Sequence, residues 1–160
     1  MMKKLILVLF VFTLIPLAAC NKMSVKDELE TYLDERDQLI DRQIELATLA
    51  EEKFIFEEDY DLSLQALKEE VIPPFEDFLK DVKAVKLVTE EVKDVHQSFV
   101  DAMDLQLEVY KNYEEAMENE DDQLFQEADT KVDEVNELLD NHEKSLVQLA
   151  KDHGIDLTLE

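Results

Sequence analysis

Between Phe75 and Met117 the stripe positions recur at steps of three and four, through Phe78, Val82, Val85, Val88, Val92, Val95, Phe99, Ala102 or Met103, Gln106, Tyr110 and Tyr113. That period gathers them on one face of an α-helix and leaves the charged residues on the other. A face of this length is not stable alone in water and must be covered by other helices. The chain supplies two more such stripes. Val25, Leu29, Tyr32 or Leu33, Ile40, Ile44, Ala47, Ala50 and Phe54 form one, with Arg36 and Gln43 interrupting it. Leu124, Ala128, Val132, Val135, Leu139, His142, Leu146 and Leu149 form the other.

Local signals set the expected boundaries. Ser24 reads as an N-cap, with Asp27 and Glu28 in the first turn where the helix dipole favours acids. The first helix is expected from about Ser24 to Phe56. The period then falters over Phe54 to Asp61 and is restored by Tyr60, Leu64, Leu67 and Val71. Pro73-Pro74 predicts the first turn of the chain, because a residue before proline is driven out of the α region and proline suits the first turn of a new helix. Two consecutive steps of three at Val82, Val85 and Val88 resemble a stammer, which overwinds a coil or breaks it. Glu118 to Asp122 predicts a second turn. Gly154 reads as a C′ residue, with Ile155, Leu157 and Leu159 folding back over the bundle end. A single Gly, three Pro and no Trp agree with a helical chain. The expected fold is all-α, an elongated antiparallel three-helix bundle, coiled-coil-like, over residues 25–160. The alternative breaks the first helix near Glu58 to give four.

Charge limits the partners. The 16 Lys and Arg stand against 41 Asp and Glu, a formal charge of −25. Nucleic acid is excluded on that balance, since phosphate binding needs a basic stripe. A protein partner is expected to be cationic, and anionic wall polymer could approach only through bridging cations.

Motifs for chemistry are absent. The sequence has no Gly-rich phosphate loop, nucleophile elbow, CxxC or HExxH. His142 and His153 lie too far apart to share a metal, and His142 fits a boundary core position while His153 fits a last-turn cation. Asp59, Asp61, Ser63 and Glu70 match positions 1, 3, 5 and 12 of a calcium loop, but Leu64 stands where that loop needs Gly. A capped helix start is the better reading. Lys80, Lys83 and Lys86 are interleaved with Asp77 and Asp81 and read as a solvated face. No catalytic residue, metal or cofactor is expected, and the chain is read as non-catalytic.

The N-terminal segment carries the most specific motif. Lys3-Lys4 precedes an apolar run from Leu5 to Ile15, the pattern of a signal peptide too short to span a bilayer core of about 30 Å. Leu17-Ala18-Ala19-Cys20 then resembles the bacterial lipobox, in which Cys20 would receive a thioether-linked diacylglycerol and become the first mature residue. The division implied is a removed signal peptide at 1–19, a lipidated tether at 20–24 and a bundle beyond. Loss of Lys3 and Lys4 takes the formal charge from −25 to −27. Two acyl chains give stable anchoring at ~0.8 kcal/mol per buried methylene. With Cys20 lipidated, the mature chain has no thiol left for a disulfide. The lipobox, the acidic helical body and the short Gly-containing tail together resemble the small helical lipoproteins of Gram-positive Bacillus-type bacteria, loosely the cell-wall-binding lipoprotein group. That resemblance implies a body held at the outer face of the cytoplasmic membrane, acting as an interaction or spacer module. Its alternative is direct binding of cell-wall polymer through cation-bridged carboxylates.

Overall fold

The computed structural model describes residues 23–55 and 59–157. Leu17, Ala18, Ala19 and Cys20 lie outside the described residues, as do Glu58 and Leu159. Helix α1 spans Val25–Ala50 and continues as a π turn, Glu51–Ile55. Ser24 caps α1, its hydroxyl accepting from the Asp27 amide at 3.2 Å. A second rod comprises α2 (Tyr60–Ala66), a π turn (Leu67–Val71) and α3 (Ile72–Ala84) without interruption. Helices α4 (Glu90–Asn119) and α5 (Asp122–Asp152) complete the bundle. The described chain is therefore all-α, with four rods.

The rods alternate in direction. Lys53 pairs with Glu70 and Arg42 with Asp81, which sets α1 against the α2–α3 rod. Lys68 with Glu118 and Lys111 with Glu76 run that rod against α4. Lys131 with Glu108, and Tyr113 with Asp129 at 2.6 Å, run α5 against α4. Helices α1 and α4 are parallel across the bundle, with Tyr32 beside His96 and Gln43 beside Gln106.

Two expected boundaries are corrected. Pro73-Pro74 makes no turn of the chain. The π turn before it is where a helix absorbs such residues, because its wider winding gives the pyrrolidine rings room against the carbonyls one turn back. Val71 carries the distortion, at φ −100° and ψ −58°. The turn falls instead at Val85–Thr89, so the expected helix from Phe75 to Met117 is two helices; the first helix ends by Ile55 and a new one starts at Tyr60, so the count is that of the four-helix alternative. The doubled step of three is where the stripe parts.

What fixes this turn comes from another rod. Thr89 is the N-cap of α4, yet its side chain makes no capping bond to its own helix. The Glu28 carboxylate of α1 does that work, accepting from the Thr89 amide at 2.7 Å, from the Val88 amide and from the Thr89 hydroxyl. On the other side of the turn, His96 Nε2 donates to the Val82 carbonyl at 2.9 Å, in the last turn of α3. Buried side chains thus tie down both sides of the break.

The remaining ends follow local chemistry. Asp121 caps α5, accepting at 3.0 Å from the amides of Gln123 and Leu124. Gly154, at φ +70°, closes α5 in a Schellman motif, with Ile155 N–H on the Ala150 carbonyl at 2.8 Å and Gly154 N–H on Lys151 at 3.1 Å. Ile155 and Leu157 fold back onto Leu29, Tyr32, Val92, Val95, Leu146 and Ala150. A larger cluster around Phe75, Phe78, Phe99, Met103 and Tyr110 fills the rest of the bundle.

Candidate functional site

Three polar residues on apolar stripes cross the interior near the N-terminal half of α1. Arg36, His96 and His142 are 5%, 7% and 1% exposed. The Val82 carbonyl can only accept, so His96 carries its proton on Nε2, and Nδ1 accepts from the Tyr32 hydroxyl at 3.2 Å. His142 Nδ1 donates to the Val95 carbonyl at 3.0 Å, with Ser98 Oγ also at 3.0 Å. Burial pushes His142 down to about 4, with the Arg36 guanidinium and His96 adding to the shift. Burial also lowers His96, against the pull of its bond to Val82. Both imidazoles are therefore neutral at pH 7, and each spends its N–H on a main-chain carbonyl. They hold helix ends and faces in place, and neither N–H is free to be transferred.

Arg36 meets Glu143 of α5 at 3.7 Å and Asp37 at 3.3 Å. Its Nε, and Nε2 of His142, have no hydrogen-bond partner among the described residues. Beside them, Glu28 is only 3% exposed, and burial alone would raise its carboxyl. The bonds from Thr89 and Val88 outweigh burial and hold it below the ordinary glutamate value.

Toward the C-terminal half of α1 the bundle is built differently. Helix α5 packs most extensively on α4, and α3 also packs on α4, while the seam between α1 and α5 is sparsely packed. A groove of about 410 Å³ lies in that seam. Helix α1 lines it with Ala47 and Ala50, α5 with Val132, Val135 and Leu139. Val109, Tyr110 and Tyr113 of α4 form its floor. Gln43, Gln106 and Asn136 place amides on the apolar surface, and Gln106 Nε2 donates to the Tyr110 hydroxyl at 3.0 Å. Burial raises the Tyr110 phenol, so it stays protonated as a donor. Val132 is 38% exposed, and Ile44, one turn from Ala47 on α1, is 54% exposed. The groove lies within the size range of ligand sites, about 300–1,000 Å³, and has their character: mainly apolar with a few placed polar groups.

One acid, Glu51, lines the groove, and Asp41, Asp133 and Asp140 are exposed on α1 and α5 outside its lining. Most lysines are already paired, among them Lys80 with Asp77 at 2.8 Å and Lys83 with Asp104 at 2.6 Å, in line with the solvated face expected there. Asp59 is the N-cap of α2, with its Oδ1 accepting from Asp61 and Leu62 amides at 3.1 and 3.2 Å. Leu64 packs on the core, so the calcium-loop spacing belongs to a capped helix start. His153 is the C-cap of α5, beside Gly154.

Sequence reasoning named no residue of this groove as a site. The signal was present as polar interruptions of apolar stripes. Gln43 and Gln106 border the groove, and Arg36 and His142 form the polar layer. No family model, no characterised protein and no solved structure matches the chain. Among the described residues no helix is long and apolar enough to cross a membrane.

Proposed function

We propose that this chain is a non-catalytic, lipid-anchored interaction module at the outer face of a bacterial cytoplasmic membrane, held there by diacylglycerol on Cys20. The location rests on Leu17-Ala18-Ala19-Cys20 after a basic and then apolar segment, together with the resemblance to small helical lipoproteins. Four residues separate Cys20 from Val25, the first residue of α1, so the anchor keeps the bundle against the bilayer. The observation that carries the interaction reading is the α1–α5 seam, a mainly apolar groove among the described residues. The partner is a protein rather than wall polymer, because a groove of apolar side chains and amides offers a polyphosphate chain no cation. A direct wall contact through bridging Mg²⁺ or Ca²⁺ is the alternative, favoured by the acidic surface alone.

Two measurements test this. In cells, Cys20→Ala is expected to move the protein out of the detergent phase, and unchanged partitioning would remove the anchor. A photo-reactive residue at Asn136 in the seam is expected to capture a protein partner, whereas one at Lys80 on α3 captures none. Chelator-sensitive retention of the chain on protein-free walls, with no capture at Asn136, would transfer support to the wall-polymer reading.

A further inference from the structure

We infer that the α3–α4 turn is a second membrane contact: Val88 and Met23 seat in the interfacial layer of the bilayer that holds Cys20, and the bundle stands end-on with its α4–α5 turn outward. The inference rests on the proposed anchor and adds how the body meets the lipid. Its first ground is place. The chain from Cys20 to Ser24 is four steps, at most about 14 Å when fully extended, and Glu28 lies one turn into α1. Because the Glu28 carboxylate accepts from the Val88 and Thr89 amides, the turn is tied to the same end of the bundle as the anchor.

The second ground is chemistry. Val88 is 67% exposed, the most exposed of the large apolar side chains among the described residues, and Met23 in the tether is 45% exposed. The Val88 amide is itself bonded, so a fixed backbone holds this side chain outward. From Val85 to Thr89 the turn contains no acid, and its one charge, Lys86, is exposed and forms no ion pair among the described residues, whereas Lys80 and Lys83 are paired with Asp77 and Asp104. Apolar groups beside one lysine suit the boundary layer, where the side chains enter the acyl region and the ammonium meets phosphate. The nearest acids flank the turn and are engaged, Glu90 with Lys93 and Asp27 with the Ser24 hydroxyl, each at 2.7 Å. The opposite end has the opposite character. Its α4–α5 turn carries Glu118, Glu120, Asp121 and Asp122 and no cation, and its exposed Tyr60 and Leu62 alternate with Asp59 and Asp61. Anionic headgroups repel that end, so charge and apolar contact favour the same upright orientation.

The lipidated chain has no thiol besides Cys20, so a cysteine placed elsewhere takes a single label. Val88→Cys and Asn119→Cys chains are purified from bacterial membranes, checked by mass spectrometry for diacylglycerol on Cys20, labelled, and reconstituted in phosphatidylcholine vesicles containing phosphatidylglycerol. A nitroxide on Val88→Cys is expected to meet oxygen in preference to a water-soluble nickel reagent, and one on Asn119→Cys the reverse. Helix α4 has 30 residues and is about 45 Å long at ~1.5 Å per residue, so energy transfer from a dye on Asn119→Cys to labelled headgroups should report roughly that separation. Adding Val88→Asp, a change at an exposed side chain that should leave the melting temperature unchanged, is expected to shorten the separation as the body tilts. A lipidated chain whose label on Val88→Cys stays aqueous, whose label on Asn119→Cys lies equally near the lipid, or whose separation ignores Val88→Asp would overturn the inference and leave the anchor standing. Absence of diacylglycerol from Cys20 would overturn both.

Discussion

The two ends of this bundle are closed by different means. At the end that holds the N-terminus of α1, buried polar side chains key the rods together: Glu28 caps α4, His96 holds the last turn of α3, and His142 and Arg36 join α5 to α4 and α1. Toward the far end, apolar packing joins α3, α4 and α5, and α1 stands off from α5 around the groove. The contrast teaches where specificity and binding separate. Directional bonds fix the register of four rods at one end, and that register lets the other end leave a seam uncovered without losing the fold.

The largest effect is expected where the apolar wall is thickest. Phe75 is fully buried and meets Phe78 and Tyr110 edge-on, with ring centroids 5.6 and 5.3 Å away. Phe75→Ala should cost about 3–5 kcal/mol in chemical denaturation. A cost below about 1 kcal/mol would mean that the α3–α4 wall does not carry the open half.

The keyed end should be selectively sensitive to acid. His142 sits near 4 in the folded chain against 6.5 as a free side chain. Its folded value is depressed, so the unfolded chain binds the proton first, and stability falls as pH drops from about 6.5 toward 4. The loss should approach about 3 kcal/mol. His142→Asn, which keeps an N–H for Val95 and cannot titrate, should remove most of this dependence when the two proteins are compared across that window. Parallel pH profiles would contradict the polar layer.

A smaller effect is expected at the α3–α4 turn. Glu28→Ala leaves the Val88 and Thr89 amides without their acceptor and should cost about 1.5–3 kcal/mol at pH 7. Because the Glu28 carboxyl is held below 4.5, its contribution is present above that value and fades as pH falls through the lower folded value. The difference between wild type and variant should therefore narrow in acid, and a constant difference would assign the loss to packing.

Much of the architecture was legible in the residues. Ser24, Gly154 and the polar stretch Glu118 to Asp122 announce helix ends through chemistry contained within a few residues, and the structure places a cap, a C′ residue and a turn there as expected. Pro73-Pro74 misled because the rule against proline assumes unbroken α geometry, and a π turn evades it. The turn at Val85–Thr89 contains no Gly or Pro, and its caps come from Glu28 and His96, neither of them in the turn itself, one on a different rod. Local signals cannot show a cap supplied from across the bundle. The groove was hidden for a related reason: Gln43 and Gln106 were visible as interruptions of their stripes, but which rods would fail to meet around them depends on packing between α1 and α5.

Amide hydrogen exchange along α1 tests the contrast between the two ends most directly. Both halves of α1 have the same helical hydrogen bonds, so any difference reports how firmly tertiary packing holds them. The account predicts that amides near Tyr32 and Arg36, in the keyed end, exchange at least about tenfold more slowly than those near Ala47 and Ala50, beside the open seam. Uniform protection along α1, or faster exchange near Tyr32, would contradict it.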